Sequence, residues 1–371
     1  MNIALVHEWL TNMAGSERVV INFKELYKDA PLYTTMYDPE KLDKELQDID
    51  VRTSFLQKKV KKGHQRFLPF MPMAFESFDL NEYDVILSSS SSCAKGVVTN
   101  PNTMHVCYCH TPMRYAWEFY YEYADKTEMK KIKKTFLKYF MNYMRIWDRL
   151  AADRVDYFIA NSENVAKRIW KHYRKESVVI HPPVRCKLFN IGEKDDDFFL
   201  ILSRLVPYKR IDLAVKAFNE LGLPLVIIGD GEERSKLEAI AKGNIQFLGR
   251  QPDEVIKEYY SRCRGFVFPG EEDFGITPLE AQSCGRPVIA YGKGGVLETV
   301  IEGETGVFFE EQTTESLVEA VRRFENMTFD KQAIRKHAET FDEEIFKQKI
   351  ENFINDKYEE FKNTKHWKVI R

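Results

Sequence analysis

Short apolar runs rich in β-branched residues alternate with stretches of helical period along the chain, and the alternation starts afresh near its middle. That rhythm belongs to parallel sheets covered by helices on both faces, and it predicts an α/β protein of two doubly wound, Rossmann-like domains. At 371 residues the chain exceeds the size at which a single core keeps growing, which agrees with two domains. Ligands of open parallel sheets gather at the carboxyl ends of the strands, so two such domains facing across a cleft place the expected site there.

In the first half, Asn2 to His7, Tyr83 to Ser88, Met104 to Cys109 and Asp156 to Ala160 read as buried strands. Helices are expected from Ser16 and from Asn161 or Ser162, whose side chains suit a helix N-terminus. The second half supplies Phe198 to Leu202, Leu225 to Gly229, Ile245 to Leu248, Gly265 to Pro269 and Pro287 to Ala290. His181 to Val184 reads HPPV, and with the polar stretch through Asp197 it has the proline and charge of a linker. The expected division is a first domain at 1–185, a second at 186–345, and a segment 346–371. A charged helix, Asp342 to Lys362, is expected at this end, and the segment from 346 on is expected to cross back to the first domain.

Apolar residues make up 44% of the chain and aromatics 13%, ample for packed cores. The 55 basic and 57 acidic side chains nearly cancel, so there is no overall field to recruit nucleic acid. The opening MNIALVHEWL lacks the charge and apolar length of a signal peptide, and no stretch approaches a membrane span. A cytoplasmic protein is expected. Cys93, Cys107, Cys109, Cys186, Cys263 and Cys284 have no disulfide spacing, and the one dense cluster, Cys107, Cys109 and His110, suits strand packing better than a metal.

The segment PGEEDFGITPLEAQSCGRPVIA carries the most chemistry. Seven residues separate Glu272 from Glu280, around a loop that leads into a helix and is flanked by strands. Pro278 suits the first turn, which aims the backbone N–H groups around Gly275 to Thr277 outward at an anion such as a diphosphate. Glu272 can accept from sugar hydroxyls and Glu280 can hold a ribose diol. The plainer alternative makes Glu272 part of an acidic loop with Glu271 and Asp273, and Glu280 part of a solvated helix face. Spacing alone does not separate binding carboxylates from the acid and base of a hydrolase. Upstream, Ser203, Arg204 and Lys209 follow another strand, and the two cations can neutralise a diphosphate leaving group without a metal.

RLVPYKR, IIGDGEER and EEDFGITPLEAQSCGRPVIAYGKGG resemble the donor domain of glycosyltransferase family 4, with the GT-B fold. In the first half EWLTNMAGSERV, FLPFMPMAFESFDLNEYDVILSSSSSCAKGV and CHTPMRYAWEFY resemble its bacterial mannosyltransferase subgroup, as do NSENVAKRI and VIHPPV. The resemblance implies a retaining, metal-independent hexosyltransferase that transfers mannose from GDP-mannose to a polyprenyl diphosphate-linked glycan during cell-surface polysaccharide synthesis. It implies that Arg204 and Lys209 bind the diphosphate, Glu272 the transferred sugar and Glu280 the ribose, with Phe274 to Thr277 as the phosphate and sugar loop. Gly15 matches the loop glycine beside the donor phosphates, where the family's paired glycines are Ala14 and Gly15 here. His110 matches the histidine close to the reacting sugar. A UDP-sugar transferase, a GT-B nucleotide-sugar epimerase and a non-catalytic sugar-binding protein are the other readings.

Three features compete with this picture. Asp195, Asp196 and Asp197 satisfy a metal-binding aspartate spacing by counting, but their linker position suits a solvated charge run. Gly229 and Gly231 flank an aspartate as in a dinucleotide fingerprint, yet Arg234 stands at the third glycine position, which favours backbone contact with the nucleotide. The stretch Lys126 to Arg149 carries eight basic and two acidic residues. It sets Ile132, Phe136, Tyr139, Tyr143 and Trp147 on one helical face, opposite Lys131, Lys134 and Lys138. With Lys58, Lys59, Lys61, Lys62 and Arg66 it forms a candidate patch for an anionic inner-membrane surface, and the same pattern equally suits a core-facing helix. Phe67 to Phe78 is expected near the acceptor.

Overall fold

A computed structural model describes residues 1–62, 64–118, 120, 131–192 and 194–363. The chain divides into two compact units, one of Met1–His181 with the segment from Phe346 on, the other of Pro182–Ile345.

The first unit holds a seven-stranded sheet of β1 (Ile3–His7), β2 (Leu32–Thr34), β3 (Val51–Thr53), β4 (Val85–Ser90), β5 (Met104–Cys109), β6 (Tyr157–Ala160) and β7 (Ser177–Val179). All pairings are parallel, in the order β3-β2-β1-β4-β5-β6-β7. Its helices are α1 (Gly15–Leu26), α2 (Met71–Glu76), α3 (Lys131–Asp153) and α4 (Glu163–Tyr173). Alternate residues of β1 enter opposite cores. Ile3 and Leu5 join Val19 and Phe23 of α1, while Ala4 and Val6 join Phe75 of α2 and Trp147 of α3. Helix α4 starts as its sequence requires, with the Ser162 hydroxyl accepting from the Val165 N–H at 3.1 Å. Helix α1 begins one residue before the expected Ser16, with no side-chain cap at Ala14.

The second unit holds β8 (Phe199–Leu202), β9 (Leu225–Ile228), β10 (Ile245–Gly249), β11 (Gly265–Phe268), β12 (Val288–Tyr291) and β13 (Gly306–Phe309), in the order β10-β9-β8-β11-β12-β13. Helices α5 (Ile211–Leu221), α6 (Arg234–Ile240), α7 (Asp253–Arg262), α8 (Ile276–Ser283), α9 (Thr314–Glu325) and α10 (Lys331–Glu339) belong to it. Helix α11 (Glu343–Asn363) begins in the second unit and continues in the first, where Phe346, Ile350 and Ile354 are buried against the sheet. The Phe346 ring stacks on Phe23 at 5.9 Å and meets Tyr108 edge-on at 5.7 Å.

In each sheet the strand order reverses once, between β1 and β4 and between β8 and β11. On either side of such a reversal the connections leave on opposite faces, which opens a crevice at the carboxyl ends of the two central strands.

The turn after β4 is anchored by a buried ion pair. Lys95 bonds Asp148 of α3, and both side chains are almost wholly enclosed. Asp148 also accepts from Trp117 Nε1 at 2.7 Å and from the Tyr173 hydroxyl at 2.9 Å. Removing the cation leaves that carboxylate buried without its counter-charge. Lys95→Met is therefore expected to lower unfolding free energy by about 3–5 kcal/mol in urea titrations. A loss under about 1 kcal/mol would contradict the role given to the pair.

Candidate functional site

The reversal between β8 and β11 sets two loops side by side. Residues 203–209 follow β8 and residues 269–275 follow β11. Across them Lys209 makes an ion pair with Glu272, the two side chains being 13% and 24% exposed. The pair leaves both groups reachable from solvent while holding each in place. Arg204 is exposed beside them and donates from Nη2 to the Tyr208 hydroxyl at 2.8 Å. The Ser203 hydroxyl donates to the carbonyl of Arg204 at 3.1 Å.

Helix α8 starts directly after this loop, with Gly275 before its first turn and no side-chain cap. The opening N–H groups of a helix lack intrahelical acceptors, so those of Ile276 and Thr277, both half-buried, are positioned for an anion. Phe274 is buried, packing against Phe341 at 6.0 Å, and serves to seat the loop. Glu280 is buried too, on the inward face of α8 rather than on a solvated one, and accepts from the Tyr260 hydroxyl at 3.1 Å. The loop's path is held from the next turn: Gly295 N–H donates to the Glu272 carbonyl at 2.9 Å. A Cβ on Gly294 would stand 2.4 Å from that same carbonyl, so only glycine fits. Tyr260 and Gly294 were not singled out from the sequence; the KGG run after β12 was the available signal for the glycine.

Gly229 and Gly231 are packed against neighbouring carbonyls. A Cβ on Gly229 would lie 1.9 Å from the Ser203 carbonyl oxygen, and one on Gly231 would lie 2.3 Å from that of Leu205. Their N–H groups are used within the protein, by the Gly249 carbonyl at 2.8 Å and the Asp230 carboxylate at 2.8 Å. The two glycines let the Arg204-bearing loop lie flat against the end of β9.

In the first unit His110 follows β5 and is half-buried, its Nε2 lying 2.8 Å from the Ser89 hydroxyl. Gly15 opens α1, after β1 and close in sequence to the buried Glu17. Glu8, one residue past β1, is also buried. Its carboxylate accepts the N–H groups of Ser91, Ser92, Cys93 and Ala94 at 2.6–3.1 Å and the Ser90 hydroxyl at 2.9 Å. Cys107 and Cys109 lie inside the sheet, and all six cysteines are buried and free.

The aspartate run is largely exposed, as expected of a charge run, and each of its members is also paired. Asp195 bonds the buried Arg286 and reaches Lys331 at 2.6 Å, Asp196 meets Arg262 at 2.5 Å, and Asp197 meets Arg264 at 3.3 Å. These cations belong to the second unit, so the run fastens the start of that unit to its body.

Helix α3 corrects the expected apolar face. Trp147 is buried and donates to Glu76 at 2.9 Å. Phe136, Tyr139, Tyr143, Ile146 and Leu150, spaced by three and four residues, form an exposed row between 53% and 73% accessible. Phe70 and Met73 are exposed as well, as are Lys58, Lys59, Arg66 and Lys138. Residues 126–130 and the side chains of Lys61, Lys62, Lys131, Ile132 and Lys134 lie outside what is described. Among the described residues no helix is long and apolar enough to cross a membrane.

Two doubly wound halves of this kind make the GT-B fold, and that fold is shared with solved structures. HepE of Anabaena, solved in complex with UDP, superposes with a TM-score of 0.70 at 18% identity over 96% of this chain and 100% of its own. Residues 13–188 match the model described as Glycosyltransferase Family 4 and residues 187–359 that described as Glycosyl transferases group 1; the chain belongs to glycosyltransferase family 4. It is 26% identical to an uncharacterized glycosyltransferase of Methanocaldococcus jannaschii over 58% of this chain, a match spanning only 63% of that protein. It is 23% identical to the alpha-1,3/1,6-mannosyltransferase of Dictyostelium discoideum over 82% of this chain and 85% of that one.

Burial pushes the His110 imidazole down to about 3. Burial does the same to His105, which lies inside β5. Such groups stay neutral in the folded chain, while unfolded imidazoles protonate near ~6.5. The unfolded state then binds more protons, so stability falls as pH drops from about 7 to about 4. His110→Asn is expected to reduce the slope of the urea midpoint between about pH 7 and pH 5, and an unaltered slope would show that His110 takes up protons equally in both states.

Proposed function

We propose that this protein is a retaining hexosyltransferase that transfers mannose from GDP-mannose to a polyprenyl diphosphate-linked glycan in cell-surface polysaccharide synthesis. The observation that carries the transferase reading is the meeting of Lys209 with Glu272 beside the uncapped start of α8. A nucleotide diphosphate there takes the charges of Arg204 and Lys209 and the N–H groups of Ile276 and Thr277, while Glu272 accepts from the hydroxyls of the transferred sugar and Glu280 from the ribose. Leaving-group charge is then stabilised by side chains and backbone, without a divalent ion. Departure and attack occur on the same face, a donor phosphate oxygen takes the acceptor proton, and no side-chain nucleophile is needed. His110 and Gly15 stand at the carboxyl edge of the first sheet, and the family resemblance assigns them to the reacting sugar and the donor phosphates.

The choice of mannose is supported by the name of the Dictyostelium relative. A UDP-sugar is the second reading, favoured by the nucleotide in the Anabaena structure. Calorimetry with GDP, UDP, ADP and their sugar conjugates separates them, GDP binding tightest if mannose from GDP-mannose is the donor. Glu272→Ala should retain nucleotide diphosphate affinity within a few-fold while transfer, assayed in chelator, drops by about a hundred-fold or more. Full transfer by that variant, or transfer by the unaltered protein only after magnesium or manganese is restored, would end the corresponding part of this reading.

A lipid-linked acceptor places the protein at the cytoplasmic face of a membrane. The exposed row on α3, flanked by Lys138 and Arg149, has the aromatic and basic character of an interfacial helix. Sedimentation is expected with vesicles containing anionic lipid and to weaken at high salt, and Phe136→Ser with Tyr139→Ser should reduce it by about ten-fold or more. Equal, negligible sedimentation with anionic and neutral vesicles would remove the membrane from the proposal.

A further inference from the structure

Three side chains with no part in the chemistry above lie in a row beneath His110. Glu17 in the first turn of α1, His7 at the end of β1 and Ser89 in β4 are all buried, at 3%, 1% and 1% exposure. Glu17 Oε1 is 3.3 Å from His7 Nε2, His7 Nδ1 is 3.1 Å from Ser89 Oγ, and Ser89 Oγ is 2.8 Å from His110 Nε2. The second Glu17 oxygen accepts the Ser16 hydroxyl at 2.9 Å. The row thus joins the helix start at Gly15 to the imidazole at the carboxyl end of β5.

Hydrogen-bond direction can be followed along this row. An ionised carboxylate only accepts, a neutral imidazole donates from one nitrogen and accepts at the other, and a hydroxyl has one proton to give. Burial raises the Glu17 carboxyl, but the hydrogen bonds from His7 and Ser16 work against it and the group is held below the ordinary carboxylate range. Glu17 therefore accepts, from His7 Nε2–H and from Ser16. These two neutral donors satisfy it without burying an imidazolium. His7 Nδ1 is then bare and takes the Ser89 proton. The Ser89 oxygen is left to accept from His110 Nε2–H. Among the described residues His110 makes its side-chain hydrogen bond through Nε2 and none through Nδ1.

We propose that Glu17, His7 and Ser89 are positioning residues that lock His110 in its Nε2–H tautomer, which presents Nδ1 as a bare acceptor for a sugar hydroxyl. A locked ring spares the bound complex the loss of tautomer and rotamer freedom, and it makes His110 a receiver of a hydrogen bond rather than an acid. The kinetic consequence, though not the tautomer itself, rests on the transferase reading.

The test uses the full chain with histidine ring nitrogens isotopically labelled, His110 being assigned by loss of its signals in His110→Asn. At about pH 8 the expected spectrum has His110 Nε2 protonated and Nδ1 bare. Ser89→Ala should give mixed tautomers and lower kcat by about ten- to a hundred-fold, with the donor KM within about two-fold. Glu17→Gln keeps an acceptor oxygen and should recover most of the kcat that Glu17→Met loses. A protonated Nδ1 in the unaltered protein, a tautomer unchanged in Ser89→Ala, or a kcat indifferent to that substitution would each overturn the proposal. Absence of transfer by the unaltered protein with every donor would instead refute the transferase reading, and the spectra alone would then decide this one.

Discussion

The parallel pairing of β8 with β11 is the constraint on which the second unit's chemistry depends. Gly265 lies opposite Phe199 and Phe266 opposite Leu200, so the two strands end almost level. Each then releases its loop into the same crevice. Because the next connections leave on opposite faces of the sheet, the two loops part on either side of that crevice. A cation from one loop and a carboxylate from the other, 63 residues apart in sequence, are brought into contact by backbone pairing several residues below them.

That contact also sorts the two glutamates. Glu272 sits at a loop where its charge is balanced by a lysine and reached by solvent, whereas Glu280 is turned into the unit beneath Tyr260. Two carboxylates so differently housed are not a matched acid and base across one bond. The glycines nearby are spacers: each lets its own backbone lie against a neighbouring carbonyl at a distance a Cβ would forbid, and the polar groups above are placed by that closeness.

The strands with long unbroken apolar runs could be read from the sequence because burial on both faces leaves no other pattern. β1, β4, β5 and β6 in the first unit and β8 to β12 in the second lie within a residue or two of their expected bounds. β2, β3 and β7 escaped because each has three residues, too few to show a period, and β3 and β7 are only partly buried at the sheet edges. β13, reading GVFF, was hidden by the glycine and charge on either side. Of the candidate site, the residues with chemistry in their names stood out, namely Glu272, Lys209, Arg204 and His110. The buried partners did not. His7, Glu17 and Ser89 come from three separate segments, and only the order β1-β4-β5 puts them in line. Asp148 likewise looked like one charge in a basic helix, although it faces a lysine more than fifty residues earlier in the chain.

The two halves share an architecture, but the first carries its own anion. Where the second unit leaves helix N–H groups open at its reversal, the first has Glu8 seated against four consecutive backbone N–H groups, a built-in stand-in for a phosphate. The turn after β4 is thereby self-saturated, so a phosphate could settle there only by expelling a buried carboxylate from the protein's own interior. One glutamate thus makes a duplicated plan unequal: the turn after β4 is closed by the protein's own carboxylate, while the start of α8 carries no side-chain cap.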